Sequence, residues 1–385
     1  VNDLGTFKLH LVPAGIFDPR VTCVIGNGVV VDPQVLLGEL DDLVSRGVPT
    51  DNLLLSDRAH VVMPYHVQLD SLEEKARGAD RLGTTGRGVG PAYVDKAARS
   101  GIRVCDLLDK GTLRERLASV LDAKNRLLTA VYGAKPLDFA ETLAQALDYG
   151  EGLKPYVADT GVFVRKAIAE GKNVLLEGGQ GTLLDLDHGT YPFVTSSSPT
   201  AGGACAGVGI APTSVTRAIG VYKAYTTRVG SGPFPSELHD EIGDRIREAG
   251  QEYGTTTGRA RRCGWFDGVV ARYAAQLNGF DGVAITKLDV LDSEECIQVC
   301  VGYELDGKRI DSIPANLREF ARCRPIYESV PGWKTPTTGA RCFDDLPRQA
   351  QDYVRLLGEV IGCGVDIVSV GYRREQVIVL REVFD

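Results

Sequence analysis

The 385 residues hold no apolar run near the roughly 18 residues a membrane-spanning helix requires, and no basic-then-apolar leader stretch. They also lack an excess of basic charge. The formal net charge is −8, which excludes a sequence-independent grip on nucleic acid or on an anionic membrane surface. The nine cysteines are scattered without a Cys-x-x-Cys pair, and the five histidines do not fall at metal-ligand spacing, so neither zinc nor a redox switch is indicated. Reduced thiols and a cytoplasmic location are the expectation. Internal repeats, low-complexity tracts and a long Pro/Ser-rich linker are missing too, so composition draws no boundary and residues 1–385 are read as a single domain. In so acidic a chain, any anionic ligand must be met by local Arg or Lys.

What is present is a 43% hydrophobic composition, ample for a large core. Val- and Ile-rich runs recur at Val21–Val31, Val174–Leu176, Ile219–Tyr222, Val283–Thr286, Ile297–Val301, Asp366–Val370 and Val377–Leu380. Near-continuous runs of this kind suit strands buried on both faces. Between them, 3.6-residue periodicity predicts helices at Pro33–Ser45, Leu113–Val131, Leu137–Glu170 and Leu346–Ile361. The class is therefore α/β, with a large, mostly parallel sheet covered by helices. The opening VNDLGTFKLHLVPAGIF reads as strand, turn and strand.

Glycine clusters mark where a backbone can approach a ligand. Gly83–Pro91, with Thr84, Thr85 and Arg87, suits a phosphate nest, though a plain structural loop fits equally well. Residues 177–198 follow the run NVLLEG, which places them at a strand's carboxyl end, where open α/β sheets bind ligands. There Asp185, Asp187 and His188 admit a metal reading, against which stands a polar turn that binds its own backbone. Thr255-Thr256-Thr257-Gly258-Arg259-Ala260-Arg261-Arg262 concentrates guanidinium groups suited to carboxylate and phosphate. Thr286-Lys287-Leu288-Asp289, directly after the apolar GVAI, holds a Lys-x-Asp that is a guanine-selectivity candidate: a carboxylate there accepts two N–H groups that adenine does not present. No G-x-x-x-x-G-K-[ST] loop and no Rossmann G-x-G-x-x-G opening a helix in the first strand unit accompanies it.

In this order, GNGVVVDP (26–33), GTTGRGVGPAY (83–93), DKAARSGIRV (95–104), EGGQGTLLDLDHGTYPFVTSS (177–197), TRVGSGPFPSEL (227–238), TTTGRARRCGWFD (255–267), TKLDVLD (286–292) and VDIVSVG (365–371) strongly resemble the adenylosuccinate synthetases. The resemblance implies a P-loop-NTPase-like fold and a GTP- and magnesium-dependent ligase joining L-aspartate to inosine monophosphate through a 6-phosphoryl intermediate. It also implies a homodimer, with Arg99 reaching the neighbouring site. Thr85, Arg99, Gln180, Thr195 and Arg259 resemble the inosine monophosphate contacts. Val229 and Thr255–Arg261, within which Thr255, Thr256, Thr257, Gly258, Arg259 and Arg261 are the matching residues, resemble the aspartate-binding elements. Arg261, Lys287, Leu288, Asp289, Ser369, Val370 and Gly371 resemble the GTP contacts. Two positions depart from the family's usual pattern: Tyr372 where Pro is common, and Ala260 where Pro or Arg is frequent.

The family's opening W-G-D-E-G-K-G-K loop and its later G-G-x-N-A-G-H-T segment, which supply general base, magnesium ligand and general acid, have no match in these residues. With the first residue Val1, the expectation is a chain that begins after the first strand and phosphate loop, holds no catalytic or metal-ligating residue of its own, and is inactive alone. Two alternatives stand beside it: a non-catalytic nucleotide-binding or dimerising relative, and a ligase acting on a guanine monophosphate.

Overall fold

A computed structural model describes residues 4–78, 81–254 and 258–384. They form two compact units, one of residues 7–179 with 195–214, the other of residues 1–6, 180–194 and 215–385.

The first unit carries β1 (Cys23–Ile25), β2 (Val30–Val31), β3 (Leu53–Ser56), β4 (His60–Val61) and β5 (Val157–Ala158). Strands β1, β3 and β5 form one parallel sheet and β2 pairs β4 in parallel. Its helices are α1 (Pro33–Ser45), α2 (Pro64–Arg77), α3 (Val89–Ala98), α4 (Val104–Leu107), α5 (Lys110–Ala130), α6 (Phe139–Leu153), α7 (Thr160–Ala169) and α8 (Ala201–Val208). Four of them begin on an Asp whose carboxylate accepts a first-turn N–H: Asp32 before α1, Asp109 before α5, Asp138 before α6 and Asp159 before α7. Leu113, Leu117, Leu121 and Leu128 give α5 an apolar stripe, and the core joins it to Leu36, Leu40, Leu53 and Leu55.

The second unit holds β6 (Ile219–Lys223), β7 (Thr226–Arg228), β8 (Arg262–Gly264), β9 (Phe266–Asp267), β10 (Gly282–Thr286), β11 (Cys296–Leu305), β12 (Lys308–Ile310), β13 (Arg324–Pro331), β14 (Val365–Ser369) and β15 (Val377–Val379). Between them run α9 (Glu241–Ala249), α10 (Gly268–Asn278), α11 (Leu317–Phe320) and α12 (Arg348–Ile361). The sheet order is β15-β14-β10-β6, parallel except for β15. Strand β10 lies between two parallel neighbours and is buried from Gly282 to Ile285, as its unbroken apolar run requires. Helix α12 buries Ala350, Tyr353, Val354, Leu357, Val360 and Ile361 in the same core. Strands β11, β12 and β13 form an antiparallel sheet, with β9 parallel to β11.

The α/β class is as expected, while several local readings change. The predicted helix 137–170 is two helices, because Pro155 lacks the N–H a continuing helix needs and Asp159 caps a new start. Val174–Leu176 is no strand, and Leu175 is 73% exposed, so this apolar run is not the buried one its composition suggested. The opening segment is not strand, turn and strand either: Ala14–Phe17 is a 3₁₀ turn and no named strand precedes it among the described residues.

Gly88, which leads into α3, has φ of 75°, and a Cβ there would lie 2.7 Å from backbone atoms of His66 and Val67. Gly133 has φ of 61° with open space around it. Gly88→Ala is therefore expected to lower unfolding free energy by more than about 2 kcal/mol, from left-handed strain plus overlap. Gly133→Ala should cost about 1 kcal/mol from strain alone. Urea unfolding of the two variants checks this, and equal losses would show that the overlap carries no cost.

Candidate functional site

Strands β6, β10 and β14 run parallel, with Lys223 opposite Thr286 and Ile285 opposite Val368, so their carboxyl ends lie side by side. This edge is where an open α/β sheet presents ligand-binding residues. Immediately after β10, Lys287 takes a left-handed conformation (φ 59°) and the chain turns into a 3₁₀ helix, Leu288–Leu291. Leu288 and Leu291 are fully buried, which anchors the turn. Asp292 fixes it from below: its carboxylate accepts from Trp333 Nε1 at 2.7 Å, Thr337 N at 2.8 Å and Thr337 Oγ1 at 2.9 Å. Asp289 is left with a buried Oδ1 that has no hydrogen-bond partner among the described residues. Burial pushes its carboxyl up from the ordinary value, Asp292 adds to this, and Lys287 opposes it.

After β14, Ser369 Oγ donates to Gly371 O at 3.0 Å, and buried Val370 donates its N–H to Gln376 O at 2.9 Å. At Gly371 a Cβ would lie 2.3 Å from the Gln376 side-chain amide, which would have to shift to admit it. The structure thus brings Lys287–Asp289 and Ser369–Gly371 to neighbouring strand ends. Tyr372, where the sequence departs from the family, is 79% exposed beneath the Arg373 guanidinium.

One residue that sequence reasoning missed organises this region. Glu252 is 1% exposed, and its carboxylate accepts from Lys223 Nζ at 2.8 Å, Lys287 Nζ at 2.8 Å, Tyr225 OH at 2.6 Å and Arg261 Nη1 at 3.1 Å. Burial alone would push the Glu252 carboxyl up; the donors Lys223, Lys287 and Tyr225 outweigh it and hold it at about 2. Lys287 Nζ also donates to Gly250 O at 2.6 Å. Lys223 ends a strand that the apolar pattern did mark. Nothing local signals Glu252, whose partners lie up to 35 residues away.

The arginine-rich loop divides its guanidinium groups. Tyr253 and Ala260 form an antiparallel bridge that closes it, and Arg261 N donates to Glu252 O at 2.8 Å. Arg261 keeps a buried Nε with no hydrogen-bond partner among the described residues. Arg259 and Gly258 are exposed, whereas Arg262 is structural, paired with Glu237 and donating to Gly232 O at 2.8 Å. Thr255, Thr256 and Thr257 lie outside the described residues. Val229 follows β7, which pairs β8, and is 54% exposed. Gln180, in the same unit, is exposed.

The other unit carries Thr85, Arg99 and Thr195. The nest reading of loop 83–91 loses part of its basis here. The N–H groups of Leu82, Gly83 and Thr84 go to the Glu74 carboxylate, at 3.2, 2.9 and 3.4 Å, while Thr84 Oγ1 and Gly88 N bind Asp70, each at 2.8 Å. The side chain of Thr85 remains exposed. Arg99 ends α3 in a left-handed conformation (φ 65°), exposed. Beneath α3, buried His66 accepts from Met63 N through Nδ1, so its Nε2 carries the proton it shares with Asp95, and Asp95 also pairs with Lys124. Thr195 is half-buried. A cavity of about 310 Å³ at the carboxyl ends of β1, β3 and β5 includes Asn27, Ser56, Arg58, Asp159 and Arg165 in its lining and none of the predicted residues. Its arginines are engaged, Arg58 by Asp159 at 3.4 Å and Arg165 by Gly209 O at 2.7 Å.

At Asp185, Asp187 and His188 the polar turn prevails: Asp185 Oδ1 accepts from Asp187 N at 2.9 Å and from His188 N at 3.0 Å. Among the described residues no three His, Cys, Asp or Glu side chains gather to hold a metal ion. No described helix is long and apolar enough to cross a membrane.

Lys287 and the buried Asp289 at the carboxyl edge of this parallel sheet, with Arg261 beside them on Glu252, form a ligand-binding type of edge in an α/β protein. The family model described as adenylosuccinate synthetase matches residues 1–378. Adenylosuccinate synthetase of Carboxydothermus hydrogenoformans is 57% identical over 380 residues, covering 99% of this chain and 89% of the relative. That of Nostoc sp. is 55% identical over 98% of this chain and 84% of the relative. The fully ligated Plasmodium falciparum adenylosuccinate synthetase superposes with TM-score 0.91 at 34% identity, over 97% of this chain and 88% of that one. A cyanophage S-2L succinoaminodeoxyadenylate synthetase shares the fold, with TM-score 0.56 at 20% identity, over 99% of this chain and 83% of that one. The chain belongs to the adenylosuccinate synthetase family, GTP-dependent ligases of purine biosynthesis.

The depressed Glu252 carboxyl sets a pH dependence. Ionised above about 2 in the fold and above 4.5 in the ordinary state, it contributes stability in full above pH 4.5 and loses it as pH falls toward 2. Glu252→Gln removes the anion that three part-exposed cations share and is expected to cost about 1.5–3 kcal/mol at neutral pH. Urea unfolding at stepped pH should show this difference constant from pH 7 to about 4.5 and shrinking below. A difference that stays constant into acid would contradict the assignment.

Proposed function

We propose that this chain binds GTP, inosine monophosphate and L-aspartate in the ligation that yields adenylosuccinate, GDP and phosphate through a 6-phosphoryl intermediate. The observation that carries the reading is the Asp289 Oδ1, buried at the carboxyl end of β10 without a partner among the described residues. A buried acceptor left unpaired is costly. Guanine offers N1–H and the 2-amino group to such a carboxylate, while adenine offers neither. Lys287 borders the base through its aliphatic stem, and Ser369, Val370 and Gly371 line its other side from the end of β14. Arg261 turns its unpartnered Nε toward an anionic group of GTP or aspartate.

Thr85, Arg99, Gln180, Thr195 and Arg259 are assigned to inosine monophosphate, and Val229 with Thr255–Arg261 to aspartate. The exposure of Arg259 and Arg99 at the surface supports both assignments. Arg99 would reach the nucleotide of a neighbouring subunit in a homodimer. The nine free cysteines accord with a reducing, cytoplasmic setting.

Calorimetry with GDP, ADP and inosine monophosphate tests the reading. GDP is expected to bind at least about tenfold more tightly than ADP, because a base without the N–H pair leaves Asp289 unsatisfied. Asp289→Asn should shift preference toward xanthosine diphosphate, whose 2-oxo group matches an amide donor. A variant that keeps the wild-type preference would sink the guanine assignment. With lower pH the raised Asp289 carboxyl takes up a proton, so GDP affinity should fall on acidification.

A further inference from the structure

Arg261 and Lys287 come from different parts of the chain, a loop closing before β8 and a turn following β10, yet both end on one carboxylate. Lys287 Nζ meets Glu252 Oε1 at 2.8 Å and Arg261 Nη1 meets Oε2 at 3.1 Å. The remaining partners, Lys223 Nζ at 2.8 Å from each oxygen and Tyr225 OH at 2.6 Å from Oε1, hold the carboxylate itself in place. Glu252 is 1% exposed, so it is out of reach of a nucleotide on the strand edge. Its backbone is tied to the loop as well, its carbonyl accepting from Arg261 N at 2.8 Å.

We propose that Glu252 is a positioning residue that couples guanine recognition to the arginine loop, holding Lys287 and Arg261 on its two oxygens. This rests on the reading that residues 287–289 take the guanine base. Lys287 leaves the backbone at a left-handed residue, and without an anchor its four-carbon stem would extend into solvent. Bound to Glu252 and to Gly250 O, it is turned back across the base-binding turn. Arg261 likewise spends one guanidinium nitrogen on Glu252 and keeps Nε unpartnered among the described residues. One carboxylate among three cations leaves the cluster with net positive charge, which attracts an anionic ligand in a protein whose overall charge is −8. Because the two arms share an anchor, displacing one arm is felt at the other.

The test is GDP and ADP binding by calorimetry on the full chain, with thermal unfolding recorded alongside to confirm folding at the temperature used. Glu252→Gln is expected to weaken GDP about tenfold or more, and combined with Lys287→Met the loss should be clearly smaller than the product of the two single losses. Independent, multiplicative losses would mean that Glu252 acts through general stability, and would overturn the proposal. So would a folded Glu252→Gln protein with GDP affinity within about twofold of wild type. If Glu252→Gln does not fold, Glu252→Asp keeps the charge but withdraws it by one carbon. An intermediate loss of GDP affinity with charge retained then supports the proposal, and unchanged affinity overturns it. Wild-type protein that fails to prefer GDP over ADP would instead bring down the guanine reading on which this one rests.

Discussion

Lys223, Lys287 and Arg261 would repel one another were the Glu252 carboxylate not between them. They arrive from the end of β6, from the turn after β10 and from the arginine loop, and the carboxylate lets three cations pack where the sheet places them. A buried ion pair is a poor source of stability when compared with apolar residues of the same volume. Its value lies in geometry: four donors converge on two oxygens, and each donor's direction is thereby set. The strand edge depends on that convergence, because the left-handed Lys287 begins the turn that carries Asp289.

The same device recurs at smaller scale, with acidic side chains spent on the chain's own donors. Asp292 takes the Trp333 indole and the Thr337 backbone, Glu74 takes three successive N–H groups, Asp70 ties Thr84 and Gly88, and Asp185 closes its own turn. These carboxylates serve as structural acceptors, and the net charge of −8 says little about the field at the strand edge. Arg262 is the reverse case, a cation consumed by Glu237 and two carbonyls so that the hairpin carrying the loop is held.

Legibility in the sequence followed the range of the interactions. Lys287-x-Asp289 could be read because its strand and its turn are adjacent in the chain, and the buried run Gly282–Ile285 signals the strand unaided. Helix α1 was predicted to its exact bounds, since Asp32, Pro33 and the apolar spacing are all local. Glu252 could not be read, because its four side-chain partners sit at positions 223, 225, 261 and 287 and only the fold assembles them. The phosphate-nest reading of Gly83–Pro91 lost part of its basis for the same reason, as Glu74 lies on a helix that the loop folds back against. Apolar content misled at Val174–Leu176, where composition without a pairing partner among the described residues makes no strand. At Asp185, Asp187 and His188 the Asp185 carboxylate is taken up by the backbone N–H groups of the other two, two and three residues on, an alternative use of a ligand-type side chain that the sequence also admits.

Of the several buried side-chain atoms without a hydrogen-bond partner among the described residues, two lie at the strand edge. Asp289 Oδ1 is an acceptor and Arg261 Nε a donor, and both belong to the strand edge that the Glu252 cluster supports. Buried polar groups are ordinarily paired, so an orphan costs free energy in the resting protein. On the proposed reading the cost is recovered by a ligand that brings the complementary atom: two N–H groups for the carboxylate, an anion for the guanidinium. A base lacking those N–H groups leaves the cost standing and adds the desolvation of its own edge. Discrimination then comes as much from the penalty on the wrong nucleotide as from attraction to the right one, which is how a site built from hydrogen bonds outdoes one built from shape. Such a penalty works only if the orphan cannot swing away to water. Buried Leu288 and Leu291 on either side of Asp289, with Asp292 pinned to Trp333 and Thr337, deny it that freedom.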